Sequence, residues 1–341
     1  MENAVSPPAP WECSGLKTIL ILRKETRMKK QAGLFSTFIP AVSLAAAVML
    51  LCFCQKSRME RKSAETAGPA APDSASWFTV QTVAEGVRRV DDHGGDNIYL
   101  VEGKDTALVI DTGTGTADLA AYIRSLTPLP VTVVNTHGHP DHGGGNFQFE
   151  TVHLHEADLG LLKNFTGEDY RRGTIKRALE QNPEMKSRIL DEKAEIRQTR
   201  LVPVKAGQVF DLSGRTLEVI ETPGHTAGSI CLLDPGHRLL FTGDNNNILV
   251  WLFLDHCLPL EKYYETLKNL RLRAGEFDTI LPGHGTPIDT AFLDEQIECV
   301  KQILDGSCKD EPYQSFAGDA RVCRYKRASV AFNPANLRAS P

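Results

Sequence analysis

The chain has no Cys-x-x-Cys pair, no internal repeat and no surplus of basic residues, and each absence removes a class of protein. Eight cysteines without that spacing indicate neither a thiolate zinc site nor a disulfide framework. Cys13, Cys52 and Cys54 stand near the N-terminus, leaving Cys231, Cys257, Cys299, Cys308 and Cys323. That odd number reads as packing cysteines with at most one bridge, among the last three. A formal net charge of −5 argues against a polyanionic partner, because nucleic-acid binders usually present a basic face. With 41% hydrophobic and 24% charged residues, the composition is globular rather than disordered, and the length allows a sizeable core.

Long apolar runs are equally scarce, with one exception. Ala32 to Phe53 is broken only by small hydroxyl residues and Pro40, and Lys29 and Lys30 stand immediately before it. That layout predicts an export signal or a membrane anchor, with Met28 a natural start and residues 1–27 an extension ahead of it. The expected organisation is therefore an extension plus signal or anchor over 1–54 and a flexible linker rich in Ala, Pro, Ser and charge over 55–76. The functional domain is expected over 77–308, with a C-terminal tail over 309–341. Such a protein is exported or membrane-anchored, at a bacterial cell envelope or otherwise extracytoplasmic, and meets the membrane through its N-terminal segment.

Downstream of Trp77, short aliphatic or β-branched runs predict strands at Phe78–Val83, Ile98–Val101, Ala107–Ile110, Val131–Val134, Leu217–Ile220, Ile230–Leu233, Leu239–Phe241 and Thr279–Leu281. Helical periodicity appears at Ala117–Ser125, Leu260–Leu272 and Phe292–Leu304, so the class is mixed α/β. Polar, metal-capable residues follow directly on five of the apolar runs. These are Asp111-Thr112-Gly113, Thr136-His137-Gly138-His139-Pro140-Asp141-His142, Pro223-Gly224-His225, Gly243-Asp244 and Pro282-Gly283-His284. Strand ends on one edge of a sheet can bring such residues together.

The densest motif is His137-x-His139-x-Asp141-His142, four ligand-type side chains within six residues. Imidazole and carboxylate are the donors zinc uses when a position must stay open for water. A turn at Gly138 and Pro140 can send the first two imidazoles to one ion and the Asp141-His142 pair to a second. Half of the ten histidines lie in strand-terminal motifs, which is not a chance scatter.

This motif, followed in order by Gly224-His225-Thr226, Thr242-Gly243-Asp244 and Pro282-Gly283-His284-Gly285, resembles the metallo-β-lactamase superfamily over roughly Trp77 to Cys308. The resemblance implies an αββα sandwich with its site at one edge. It implies two metal ions, zinc with iron or manganese as alternatives, the first held by His137, His139 and His225. Asp141, His142 and His284 would hold the second, Asp244 would bridge them, and Asp111 would steady the site from behind.

Two dications sharing a water lower its pKa by many units, which predicts a bridging hydroxide as nucleophile on a small-molecule carbonyl. Asp244 would set the metal spacing, and Asp141 would orient the water or pass a proton to the leaving group. An ester, thioester or lactone is the expected substrate, since the resemblance places a carboxylate at Asp244 where zinc β-lactamases carry Cys or Ser. Asn247 stands where lactonases of the family place a Tyr, and His284 is followed by Gly285-Thr286 rather than the Glu-Tyr of glyoxalase II. The alternatives are a β-lactamase, an enzyme resembling persulfide dioxygenases, or a metal-containing surface binding module; the oligomeric state is left open.

Two segments bear on specificity. Residues 156–200 form a charged, helix-prone insertion that reads equally as a lid or a solvated decoration. Asn245-Asn246-Asn247 and Trp251-Leu252-Phe253-Leu254-Asp255-His256 follow the bridging position, with Trp251 and Phe253 read as core and His256 as a lesser pocket candidate. His93, His153, His155 and His237 are expected at surface, packed or turn positions.

Overall fold

The computed structural model describes residues 76–191 and 197–339. The apolar stretch at 32–53 and the linker up to residue 75 lie outside the described residues, among which no helix is long and apolar enough to cross a membrane.

Two large sheets carry the fold. The first has seven strands in sequence order: β1 (Phe78–Ala84), β2 (Val87–Asp92), β3 (Asn97–Glu102), β4 (Ala107–Ile110), β5 (Val131–Val134), β6 (Thr151–His155) and β7 (Arg200–Val204). The second contains β8 (Val209–Asp211), β9 (Thr216–Glu221), β10 (Ile230–Asp234), β11 (Leu239–Gly243), β13 (Thr279–Pro282) and β14 (Ile288–Asp289), in the order β14-β13-β11-β10-β9-β8. All eight strands expected from the sequence are present within these limits.

Alternation along the strands decides the layers. Leu108 and Ile110 of β4 face a cluster shared with Leu239 and Phe241 of the second sheet, while Ala107 and Val109 face the opposite way. Such strands, covered on both faces, read as unbroken apolar runs. Outside the first sheet lie α1 (Leu119–Leu126) and α4 (Glu168–Gln181), which contribute Leu119, Ile123 and Ile175 to the outer cluster. Asp118 caps α1 by accepting from the Ala121 N–H. Against the second sheet lie α5 (Leu260–Leu272) and α6 (Phe292–Asp305). In α5 the residues Leu260, Tyr263, Leu267 and Leu270, spaced by three and four, form the buried stripe. Each fully buried large apolar side chain contributes ~1.5–3 kcal/mol. The order is helices, sheet, sheet, helices, as the αββα expectation requires.

Residues 309–341, set apart above as a tail, hold three strands: β15 (Glu311–Ser315), β16 (Gly318–Tyr325) and β17 (Ala328–Phe332). They join β12 (Leu249–Leu252) in a third sheet of order β12-β17-β16-β15, with β12 and β17 parallel. Cys308 and Cys323 form the one bridge admitted among the last three cysteines, while Cys231, Cys257 and Cys299 are free and buried.

Candidate metal centre

Five strand ends from the two large sheets converge. Asp111 follows β4, His137 follows β5, His225 follows β9, Asp244 follows β11 and His284 follows β13. The two sheets are fastened at this edge by β3: the Asn97 N–H donates to the Gly283 carbonyl at 2.7 Å and the Tyr99 hydroxyl to the Pro282 carbonyl at 2.8 Å. Between His137 and His142 the chain makes one turn of helix, α2 (Pro140–Gly143), with proline at its first position, where no N–H is needed. That turn swings Asp141 and His142 to the other side of the site from His137 and His139.

Two groups result, each with potential ligand atoms within 4.8 Å of one another: His137, His139 and His225, and Asp141, His142, Asp244 and His284. All seven residues singled out in the sequence are brought together. In the first group His137 Nε2 lies 3.0 Å and His225 Nε2 2.9 Å from His139 Nδ1. In the second, His284 Nε2 is 3.4 Å from both Asp141 Oδ2 and Asp244 Oδ1. Asp244 belongs to both, with Oδ1 3.2 Å from His142 Nε2 and Oδ2 3.6 Å from His225 Nε2. A side chain at Gly283 would collide with Asp244 Oδ1 and His142, so glycine there is a condition of the carboxylate's placement.

The partners behind the rings fix which nitrogen is bare. The Nδ1–H of His225 donates to the Trp251 carbonyl at 2.7 Å, and that of His284 to the Gly95 carbonyl at 2.8 Å. His142 Nδ1 meets the Asp111 carboxylate at 2.9 Å. The Thr136 hydroxyl spends its proton on Asp111 Oδ2, so it accepts from His137 Nδ1–H at 3.1 Å. Carbonyls and carboxylates only accept, so Nδ1 carries a proton in these rings and Nε2 is the nitrogen each directs at the site. His139 is turned the other way, with Nδ1 inward and Nε2 2.5 Å from His256 Nε2. Asp111 holds its backbone at φ 65°, an uncommon value for a residue other than glycine, while its carboxylate binds Thr136 and His142. That observation supports the steadying role drawn from the resemblance.

Electrostatics differ between the groups. Burial, then the neighbouring imidazoles, push His137 and His139 well below the usual histidine pKa, keeping them in the neutral form that can ligate. Burial also opposes charge on His142, but Asp244, Asp111 and Asp141 outweigh it and hold its pKa well above the usual value. Burial likewise disfavours ionised Asp244, yet His284 and His142 draw its pKa well down. The second group therefore has a negative field that stabilises positive charge. His142 Nε2 and Asp244 Oδ1 are buried without a hydrogen-bond partner, a costly condition that a cation between them removes. The donor set fits metal ions. His284 and Asp141, with side chains 34% and 37% exposed, face the solvent side.

Several supporting residues carried no motif. Asp158, buried at the end of a short 3-10 turn after β6, accepts from Gly138 N–H, Gly228 N–H and the Thr226 hydroxyl. From the segment 156–200 a further residue comes close to the site: Phe165, at the end of α3 (Leu159–Phe165), has its ring 6.4 Å from that of His139. Phe165 also lines a cavity of about 230 Å³ with Phe147, Leu162, Tyr170 and Leu201. Asn247 accepts the His284 N–H at 3.1 Å, serving a ligand turn. Trp251 is half-buried rather than core, while Phe253 is buried as expected. His93 is exposed and His237 lies in the turn between β10 and β11.

The sequence profile described as the metallo-beta-lactamase superfamily matches residues 91–284. Among characterised sequences, the chain is similar to acyl-coenzyme A thioesterase MBLAC2 of Gallus gallus, 31% identical over 233 residues, covering 61% of this chain and 80% of that protein. It is 28% identical to the atrochrysone carboxyl ACP thioesterase AacuM of Aspergillus aculeatus, over 57% of this chain and 52% of that one. Among solved structures, the stereoselective inverting sec-alkylsulfatase Pisa1 from Pseudomonas sp. superposes with a TM-score of 0.52 at 18% identity, covering 67% of this chain and 42% of that one, a likeness of fold alone. The profile spans more than half of the chain and runs from the strand before Asp96 to the last of the convergent histidines, so the chain belongs to the metallo-beta-lactamase superfamily, as a hydrolase.

Proposed function

We propose that this chain hydrolyses acyl thioesters with two metal ions, zinc being the first choice, held by His137, His139 and His225 on one side and by Asp141, His142 and His284 on the other. Asp244 serves both. The observation that carries the reading is the division of Asp244, whose Oδ1 faces His142 and His284 while Oδ2 faces His225. The thioester is favoured among carbonyl substrates by the similarity to acyl-coenzyme A thioesterase MBLAC2.

Two divalent ions bound there supply an acidified water and a polarised substrate carbonyl. The chain's own residues do the rest. Asp111 and Thr136 hold the His142 and His137 rings from behind, so the donors need no reorganisation during turnover. Asp141, at the solvent-facing edge beside His284, takes the proton released as the water oxygen bonds to the carbonyl carbon. It returns that proton to the sulfur as the carbon–sulfur bond breaks, giving a carboxylic acid and a thiol.

The Cys308–Cys323 bridge supports the further reading that the protein works outside the reducing cytosol, in keeping with the apolar segment at 32–53. Protease accessibility in intact cells tests that location.

The test of function combines metal analysis of the full-length chain with thiol release from a panel of acyl-coenzyme A esters, a lactone and a β-lactam. Two ions per chain, thiol release, and its loss in Asp244→Ala and His139→Ala support the reading. One iron per chain with oxygen uptake, or full activity in either variant, overturns it.

A further inference from the structure

β12 brings more than backbone to the site. Val250 and Leu252 point into the core against α5 and α6, which leaves Leu249 and Trp251 on the other face of the third sheet. There Trp251 meets three more rings. Its centroid lies 5.2 Å from Phe253 and 5.5 Å from Phe316, and its indole N–H donates to the Tyr313 hydroxyl at 3.1 Å. The Phe253 and Tyr313 rings are 6.1 Å apart in an edge-to-face arrangement.

Tyr313 and Phe316 come from the β15–β16 hairpin, which lies beyond the residues matched by the family profile. The Cys308–Cys323 bridge ties that hairpin to the end of α6. Phe316 is 97% exposed, a large ring that the fold does not bury. This aromatic face is tied through the backbone of its own strand to the three-histidine side of the site. The carbonyl of Trp251 itself holds His225, and five residues later His256 meets His139.

We propose that Trp251, Tyr313 and Phe316 form the binding surface for the apolar acyl chain of the substrate. The inference rests on the thioesterase reading above. The acyl half is favoured over the polyanionic thiol half because guanidiniums on the hairpin are already engaged: Arg321 with Asp310, and Arg324 with Glu311. The same pairing disfavours an anionic membrane surface, which needs cations beside the apolar rings. At ~0.8 kcal/mol per buried CH₂, each methylene laid on this face lowers KM about fourfold.

The test uses the full-length, zinc-loaded chain and the acetyl, hexanoyl and decanoyl esters of coenzyme A. Phe316→Ala and Tyr313→Ala are expected to flatten the fall of KM with chain length, raising KM for the decanoyl ester about tenfold or more. Leu272→Ala, an exposed residue on α5, serves as the control that keeps the wild-type slope. Binding is read independently of turnover as quenching of Trp251 emission by the S-decyl thioether of coenzyme A, with Trp251→Phe identifying the signal. Quenching without hydrolysis of any ester retains the surface and refutes the thioesterase reading. A chain-length slope unchanged in both hairpin variants overturns the proposal. So does a slope abolished by Leu162→Trp, which would fill the cavity beside Phe165, or loss of binding to anionic vesicles in Phe316→Ala with unaltered kinetics.

Discussion

Asp158 accepts the hydroxyl of Thr226 at 2.6 Å, and with its remaining capacity takes the backbone N–H groups of Gly138 and Gly228 at 2.8 and 2.7 Å. One buried carboxylate thus joins the turn bearing His137 and His139 to the turn bearing His225. Asp158→Ala strips acceptors from buried N–H groups, at about 1–3 kcal/mol for each group left unsatisfied. It is expected to weaken zinc binding roughly 10–100-fold, as loss of ligand-orienting partners does. A competition titration against a chelating dye measures this, and wild-type affinity in the variant would remove Asp158 from the support of the site.

His256 stands behind His139 as a carbonyl stands behind His225 and His284. His256→Ala is expected to lower affinity for the first ion by about tenfold or more. His256→Gln, whose amide oxygen can accept from His139 Nε2–H, should recover much of the loss. Cobalt substitution followed by visible spectroscopy reads that coordination directly, and identical spectra and affinities for all three proteins would contradict the role.

Asp96 carries a pH prediction. Both of its carboxylate oxygens are buried without a hydrogen-bond partner, and burial, then Asp92, raises its pKa well above 3.8. A raised carboxyl pKa favours the fold only while the group is protonated. That contribution is complete below the unfolded value of 3.8 and is lost as pH rises through the folded value. The metal-stripped Asp96→Asn variant should therefore be more stable than wild type at pH 7, with the difference closing as the pH falls towards 3.8. Urea midpoints across that range check the sign; a difference independent of pH would refute it.

The disulfide spans 15 residues of sequence. Loop closure of that length stabilises by about 3 kcal/mol in the chain-entropy account. Cys308→Ser with Cys323→Ser should lose stability of that order in urea titration. Wild type treated with a thiol reductant should unfold at the same midpoint as the double variant.

Much of the architecture could be read directly because the central strands are buried on both faces. Ala107–Ile110, Ile230–Asp234 and Leu239–Gly243 show no exposed residue, so each appears as a plain apolar run, and the first and last lead straight to Asp111 and Asp244 of the site. The β15–β17 strands escaped because their signal is weak. In β15 only Tyr313 and Ser315 are even partly covered, and the stretch resembles an ordinary polar tail. Trp251 was misread for a related reason: its strand alternates, and alternation over four residues does not say which face meets the core. Two of the groups that orient the histidines are backbone carbonyls, of Gly95 and Trp251, which no side-chain pattern can disclose. Asp158 was invisible because a lone aspartate after His155-Glu156-Ala157 has no distinguishing spacing.

Asp111, His137, His139, Asp141 and His142 hang from the first sheet, whereas His225, Asp244 and His284 hang from the second. Whatever fills the gap between them acts as a clasp across two layers, so chelating agents should be felt far beyond the reacting atoms, as an easier parting of the sandwich. In a molecule so built, a ligand captured at that edge and the cohesion of the two layers reinforce each other.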